Sequence, residues 1–156
     1  MRILVTGAAG YIGSILVPQL LKKGHEVIVV DNFMYNQSSL LDCCYDQNLT
    51  IIRGDARDEG LISRSLKNVD VIFPLACITG APACDRDPAT AQTTNYDAVK
   101  MLLELRSKQQ MIIFPNTNSG YGMGQEGIDC TEETPLNPIS LYGRLKVDIE
   151  KMLLDD

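Results

Sequence analysis

Short apolar runs alternate along this chain with stretches of helical spacing, from the first residues to the last. The run Ile3-Leu4-Val5 breaks into Thr6-Gly7-Ala8-Ala9-Gly10, and Tyr11 to about Lys23 follows with Ile12, Ile15, Leu16 and Leu20 on one face. That pattern predicts a strand, a turn and an amphipathic helix. Gly24-His25 closes the helix, and Val27 to Val30 reads as a second strand reaching Asp31. Asn32 to Asn48 has no regular period, although Leu40, Leu41, Cys43 and Cys44 suit a short helix. Leu49 to Arg53 predicts a third strand, Glu59 to Leu66 a helix that Asp58 can cap, and Val69 to Phe73 a fourth strand. Pro88 suits the first turn of a long helix ending near Lys108, with Asp87 as its N-cap. Met111 to Pro115 predicts a fifth strand and Ile139 or Ser140 to Leu154 a last helix. Between them runs a polar, glycine-broken loop, Asn116 to Pro138, with Tyr121, Glu126 and the acidic group Thr131-Glu132-Glu133-Thr134. Loops of that length are usually functional or disordered.

Strands joined by helical crossovers imply the α/β class: a Rossmann-type, doubly wound parallel sheet in the order 3-2-1-4-5, with right-handed connections and helices on both faces. Ligands of such sheets bind at the carboxyl ends of the strands. The segment Gly7 to Gly13 and the residues Asp31, Asp55, Ala76 and Thr117 follow strands one to five, and all are expected along that edge.

The first turn carries the clearest chemistry. Gly7, Gly10 and Gly13 have G-x-x-G-x-x-G spacing: one for a tight turn, one for close approach of backbone to a pyrophosphate, one for packing of helix on sheet. The free N–H groups at the helix start then face the phosphates, where the helix dipole favours negative charge. Asp31 stands about 20 residues further on, where a dinucleotide fold places the acceptor for its ribose hydroxyls. A carboxylate there repels a 2′-phosphate, and no Arg or Lys follows closely, so NAD is favoured over NADP. The alternative for Asp31 is a solvated strand end. Asp55, just past the third strand, can accept from an adenine amino group, and the small apolar loop Pro74 to Gly80 offers a surface on which a dinucleotide lies flat.

Length and composition narrow the setting. The chain has 156 residues, 45% apolar and 22% charged, which suits one ordinary globular domain. No apolar run approaches a membrane span and the N-terminus reads as a strand, so the expectation is a cytoplasmic protein. A net charge of −6 argues against nucleic acid and anionic membranes as partners. Cys43, Cys44, Cys77, Cys84 and Cys130 are scattered and never spaced as C-x-x-C, which fits reduced thiols better than disulfides or a metal site. The single histidine, His25, lies in a helix-to-strand turn, so acid–base work falls to other residues.

Tyr142 and Lys146 stand four apart on the last helix, hence on one face. A tyrosine titrates near pH 10, and making it a base at neutrality requires stabilising its phenolate by about 3 pH units, or roughly 4 kcal/mol. A lysine ammonium and a positive nicotinamide ring can together supply this in a partly desolvated cleft. Thr117, after the fifth strand, offers a hydroxyl for the same substrate oxygen that Tyr142 would deprotonate. Taken alone, Y-x-x-x-K is as well explained by an exposed helix pair.

In order, T-G-A-A-G-Y-I-G (Thr6 to Gly13), D-N (Asp31, Asn32), G-D-x-R-D (Gly54 to Asp58), L-A (Leu75, Ala76), Asn95, T-x-x-x-Y-G (Thr117 to Gly122) and Y-G-x-x-K (Tyr142 to Lys146) resemble the extended short-chain dehydrogenases/reductases. The likeness is to their NAD-dependent epimerase/dehydratase group, which acts on nucleotide sugars. It implies that Tyr142 is the catalytic base, that Lys146 lowers its pKa and holds the nicotinamide ribose, and that Thr117 orients the sugar hydroxyl. It further implies that Tyr11 and Ile12 meet the pyrophosphate, Asp31 and Asn32 the adenosine ribose, Asp55 and Ala56 the adenine, and Leu75, Ala76, Cys77 and Asn95 the inner cofactor. A homodimer is also implied. Pro74 stands where many members carry His, Cys77 where the L-A-A loop ends in alanine, and Thr79 where some epimerases carry Lys. The family continues past the Tyr-Lys helix into a substrate-binding region. This chain is therefore expected to be the NAD-binding domain, residues 1–156, without that region.

Related dehydratases place an Asp-Glu pair directly after the hydroxyl residue, because eliminating water needs a further acid and base. Asn118 and Ser119 follow Thr117 here and cannot do that work. The resemblance thus favours the NAD-binding part of a nucleotide-sugar epimerase, oxidising a sugar hydroxyl to a keto sugar and reducing it on its other face. The alternatives are an NAD-binding module or fragment without turnover, and a dehydratase or ketoreductase.

Overall fold

The computed structural model describes residues 1–123 and 129–156; Glu126 lies outside the described residues. The elements are β1 (Arg2–Thr6), α1 (Tyr11–Lys22), β2 (Glu26–Asp31), β3 (Leu49–Arg53), α2 (Glu59–Ser65), β4 (Val71–Pro74), α3 (Ala81–Arg86), α4 (Pro88–Ala91), α5 (Ala98–Leu105), β5 (Met111–Ile112) and α6 (Leu141–Leu154). A π-helical segment, Gln92–Asp97, joins α4 to α5, and single 3-10 turns occupy Leu41–Cys43 and Asn118–Gly120. The chain divides into two compact units, residues Met1–Ala76 with Met101–Pro115 and residues Cys77–Lys100 with Asn116–Asp156.

The first unit contains the whole sheet, five parallel strands in the order β3-β2-β1-β4-β5, as the alternation predicts. The central strands β2, β1 and β4 are buried on both faces while the edge strands β3 and β5 are partly exposed, and the two-residue period divides the side chains between two cores. Ile3, Val5, Val27, Val29 and Val71 pack with Val17 and Leu21 of α1 on one face. Leu4, Ile28, Val30 and Ile72 pack with Ile62 of α2 and Leu102 of α5 on the other.

Four sequence expectations shift. The fully buried face of α1 is Gly13, Val17 and Leu21; of the expected positions Leu20 packs against the same core and Leu16 is half-buried, but Ile12 and Ile15 are 52% and 62% exposed. Gly13 sets that face, because a Cβ there would lie 2.2 Å from the carbonyl oxygen of Ala8 and the helix rests on the loop at that point. β4 begins at Val71, since the Val69 N–H still closes a turn on Leu66 O at 3.2 Å. β5 is shorter than expected: the Ile113 N–H reaches Ile72 O at 2.9 Å, but the neighbouring Pro74 has no N–H with which to extend the ladder. The long helix after Asp87 ends at Leu105 and is interrupted by its π-helical segment; the Gln110 side chain accepts the Ser107 N–H at 3.0 Å beyond its end. The short α3 before it was not expected.

The second unit holds α3, α4, the π-helical segment and α6 around Cys84, Ala91 and Leu145, with Ile78, Tyr96, Leu141 and Tyr142 packed against them. Caps behave as their residue types predict: Asp58 accepts the Leu61 N–H at 2.9 Å, Asp87 that of Thr90 at 3.0 Å and Ser140 that of Gly143 at 3.1 Å.

Candidate cofactor and active site

In the first unit the parallel register aligns the carboxyl ends of the strands, pairing Thr6 with Val30 and Pro74, and Asp31 with Arg53. Gly7, Asp31, Asp55, Leu75 and Ala76 all follow or end those strands. Gly7 has φ +67°, and a Cβ on it would meet Ala76 N and Cα at 2.5 Å, so only glycine lets the turn after β1 pass the turn after β4. The Thr6 hydroxyl accepts the Ala76 N–H at 3.4 Å beside it. Gly10 precedes α1 without a side-chain cap, and the first turn of α1 carries no acidic residue. The helix start therefore offers N–H donors and the positive end of its dipole to an anion. Tyr11, next in the chain, is 93% exposed.

Asp31 is buried, and each of its oxygens already has a backbone donor: Ala9 N–H on Oδ2 at 2.9 Å and Phe33 N–H on Oδ1 at 2.7 Å. It is thus not a solvated strand end; it ties the glycine loop to the end of β2. The remaining carboxylate lone pairs can still accept from a ligand. Ser39 adds a second tie, donating its hydroxyl to Ala9 O at 2.7 Å, which sequence spacing gave no means of finding. Asn32 is exposed and folds its side chain onto the Met34 N–H at 3.0 Å. Asp55 forms a bidentate pair with Arg57, at 2.9 and 2.6 Å, and that guanidinium holds its carboxyl below the usual range. Ala56 is half-buried beside it.

The second unit brings Thr117, Tyr142 and Lys146 together. Gly143 is the local cause: a Cβ there would lie 2.7 Å from Ser119 O, so the 3-10 turn can rest against α6 one residue past Tyr142. Asn116 donates to Glu150 at 2.6 Å, and Gly120 O accepts the Asn137 N–H at 2.9 Å, which pins the same segment. A glycine inside an otherwise helical pattern was the available signal for this contact. The Thr117 side chain lies beside the Tyr142 phenol, and its hydroxyl donates to Ser119 Oγ at 3.2 Å. Ser119, set aside above for lacking a dehydratase acid, thereby holds the threonine hydroxyl.

Lys146 is 5% exposed, and burial pulls its ammonium below the ordinary lysine value, with Cys77 opposing. Burial likewise pushes the Tyr142 phenol up, the thiols Cys77 and Cys84 add to this, and Thr117 opposes it. The expected lowering of the phenol is therefore not present in the polypeptide alone, where desolvation outweighs the attractive partners. Asn95 is 2% exposed, and its amide grips one residue on both sides, accepting the Ile78 N–H at 2.7 Å and donating to Ile78 O at 2.9 Å. Its side chain thus orders the loop that carries Cys77. Among the described residues no three His, Cys, Asp or Glu side chains converge as a metal site requires.

A family model described as the NAD dependent epimerase/dehydratase family matches residues 3–155. A UDP-glucose 4-epimerase of Lactobacillus helveticus is 30% identical over 98% of this chain and 46% of its own length. An uncharacterized UDP-glucose epimerase of Bacillus subtilis is 37% identical over 97% of this chain and 50% of its own. The structure of a UDP-glucose 4-epimerase of Thermotoga maritima with UDP-glucose superposes with a TM-score of 0.87 at 32% identity, over 99% of this chain and 50% of that one. The chain spans about half the length of the relatives it matches. With the glycine turn, the strand order and the Tyr-Lys helix in place, the chain belongs to the NAD-dependent epimerase/dehydratase family.

Proposed function

We propose that this chain binds NAD and carries the reacting side chains of a nucleotide-sugar epimerase. The observation that carries the reading is the Tyr142–Lys146 pair one turn apart on α6, with Lys146 buried and the Thr117 side chain beside the phenol. The residues suit the cofactor. A Cβ on Gly10 would lie 3.1 Å from Gly7 O, so the turn keeps its surface bare for a pyrophosphate, and uncapped amides of α1 stand ready to donate. In this reading Gly7, Gly10, Gly13, Tyr11 and Ile12 hold the pyrophosphate, Asp31 and Asn32 the ribose, and Asp55 and Ala56 the adenine. Leu75, Ala76 and Cys77 line the inner part, with Asn95 fixing the loop that carries Cys77.

NAD, when bound, accepts and returns a hydride. Tyr142 takes the proton of a sugar hydroxyl that Thr117 orients, and it gives the proton back when the keto sugar is reduced. Lys146 holds positive charge near the phenolate, which a desolvated tyrosine needs at neutral pH. A homodimer in the cytoplasm is part of the same proposal, and sedimentation of the purified protein tests the dimer.

A second reading is an NAD-binding module without turnover, which accords with a Tyr142 phenol that burial raises rather than lowers in this chain. Calorimetric titration with NAD and assay of UDP-sugar epimerisation separate the two. Binding with turnover, abolished in Tyr142→Phe while binding persists, is the expected result for the epimerase. Binding without turnover selects the module, and no binding by the folded protein overturns both.

A further inference from the structure

Two thiols in the second unit meet at one oxygen. Cys77 Sγ lies 3.5 Å and Cys84 Sγ 3.3 Å from the carbonyl oxygen of Ile78. That oxygen also accepts Asn95 Nδ2 at 2.9 Å, and the same amide lies 3.7 Å from Cys84 Sγ. Both sulfurs therefore sit around a single, heavily used acceptor, and the intervening segment is short enough that closing a ring costs little chain entropy. Access differs between them: Cys77 is half-buried, whereas Cys84 is fully buried. Cys77 also faces Lys146 and Tyr142, and its own loop supplies the Thr79 hydroxyl; Cys84 faces Tyr142 and Asp85. None of the chemistry assigned to Tyr142, Lys146 and Thr117 uses either sulfur as a reactant.

We infer that Cys77 and Cys84 form an oxidation site for hydroperoxides, in which Cys77 is attacked first and Cys84 resolves it into a Cys77–Cys84 disulfide. In the first step the Cys77 thiolate displaces hydroxide from hydrogen peroxide, forming an S–O bond and breaking the O–O bond; the thiol proton and the hydroxide leave as water. In the second step Cys84 sulfur attacks the sulfenic sulfur, the S–O bond breaks, and a second water leaves with the Cys84 proton. Two thiols are oxidised and one peroxide is reduced, so no other reagent is needed. The ammonium of Lys146 favours the Cys77 thiolate, while burial holds both thiols protonated at neutrality. The linkage consequently forms faster as pH rises, and it withdraws Cys77 from its place beside Tyr142 and Lys146.

Peptide mapping tests this directly, because trypsin releases both cysteines in one peptide, Asn68–Arg86. The reduced, folded chain is treated with hydrogen peroxide, capped with N-ethylmaleimide, and digested without reductant. The expected result is a peptide two hydrogens lighter that takes no maleimide, regains two adducts after dithiothreitol, and accumulates faster at higher pH. Cys84→Ala should then leave Cys77 as a sulfenic or sulfinic acid, and circular dichroism verifies that the variant is folded. Chain unfolded in urea should lose the preference for this pair. The inference is overturned if Cys77 and Cys84 stay reduced while exposed Cys44 and Cys130 oxidise, or if Cys77 is over-oxidised in the wild-type chain with Cys84 still alkylated.

Discussion

The carboxylate of Asp31 accepts the backbone N–H of Ala9 at 2.9 Å, so the residue that the dinucleotide pattern assigns to a ribose also holds the glycine turn in shape. Removing it should cost stability as well as affinity. Asp31→Ala leaves two backbone N–H groups without their acceptor, and we expect a loss of about 2–3 kcal/mol in urea unfolding together with weaker NAD binding. A variant that loses NAD affinity at unchanged stability would show that the tie contributes nothing to the fold.

Gly7 and Gly24 both have positive φ, +67° and +77°, but only Gly7 is crowded, since nothing lies within 4 Å of a Cβ built on Gly24. Gly24→Ala is therefore expected to cost only its backbone strain, about 1 kcal/mol. Gly7→Ala adds a clash with the backbone of Ala76 and should cost several times more, with a lower yield of folded protein. Thermal unfolding of the two variants side by side checks the difference.

Asn95 holds Ile78 by both its N–H and its C=O. Asn95→Leu leaves both groups without their amide partner in a buried place, and a loss of about 2–4 kcal/mol is expected. The loop should loosen with it, so Cys77 should react faster with maleimide than in the wild-type protein. Unchanged reactivity would mean that the loop is held by other contacts.

Lys146 is depressed and Tyr142 raised in pKa, both chiefly by burial. For the lysine, the folded chain releases its proton more readily than the unfolded chain, so stability falls as pH drops from the ordinary lysine range through the lowered value. For the tyrosine, the folded chain keeps its proton longer, so stability falls as pH rises from the ordinary phenol range through the raised value. Lys146→Met, an apolar replacement, should thus gain stability relative to wild type as pH falls from the ordinary lysine range, while losing function. Chemical unfolding at neutral and alkaline pH should show this advantage shrinking as pH rises into the lysine range.

The order of elements, the parallel 3-2-1-4-5 sheet, the caps Asp58 and Asp87, the glycine turn and the Tyr-Lys spacing were legible because each rests on local chemistry or on a short repeat along the chain. The face of α1 was not legible, because hydropathy does not reveal that the helix must approach its loop at Gly13. The burial of Asn95 was equally hidden, since its partner Ile78 is set by chain folding and not by spacing.

By itself the sequence determined which residue types are available at the strand ends and on the last helix, through period, turn chemistry and capping, which act over a few residues. Only the tertiary structure decided which of those groups already have partners. Asp31 is occupied by Ala9 and Phe33, Thr117 by Ser119, and the thiols Cys77 and Cys84 share Ile78 O. Those pairings, and the burial that pulls Lys146 down and pushes Tyr142 up, arise when distant segments pack and exclude water, and no local pattern carries that information.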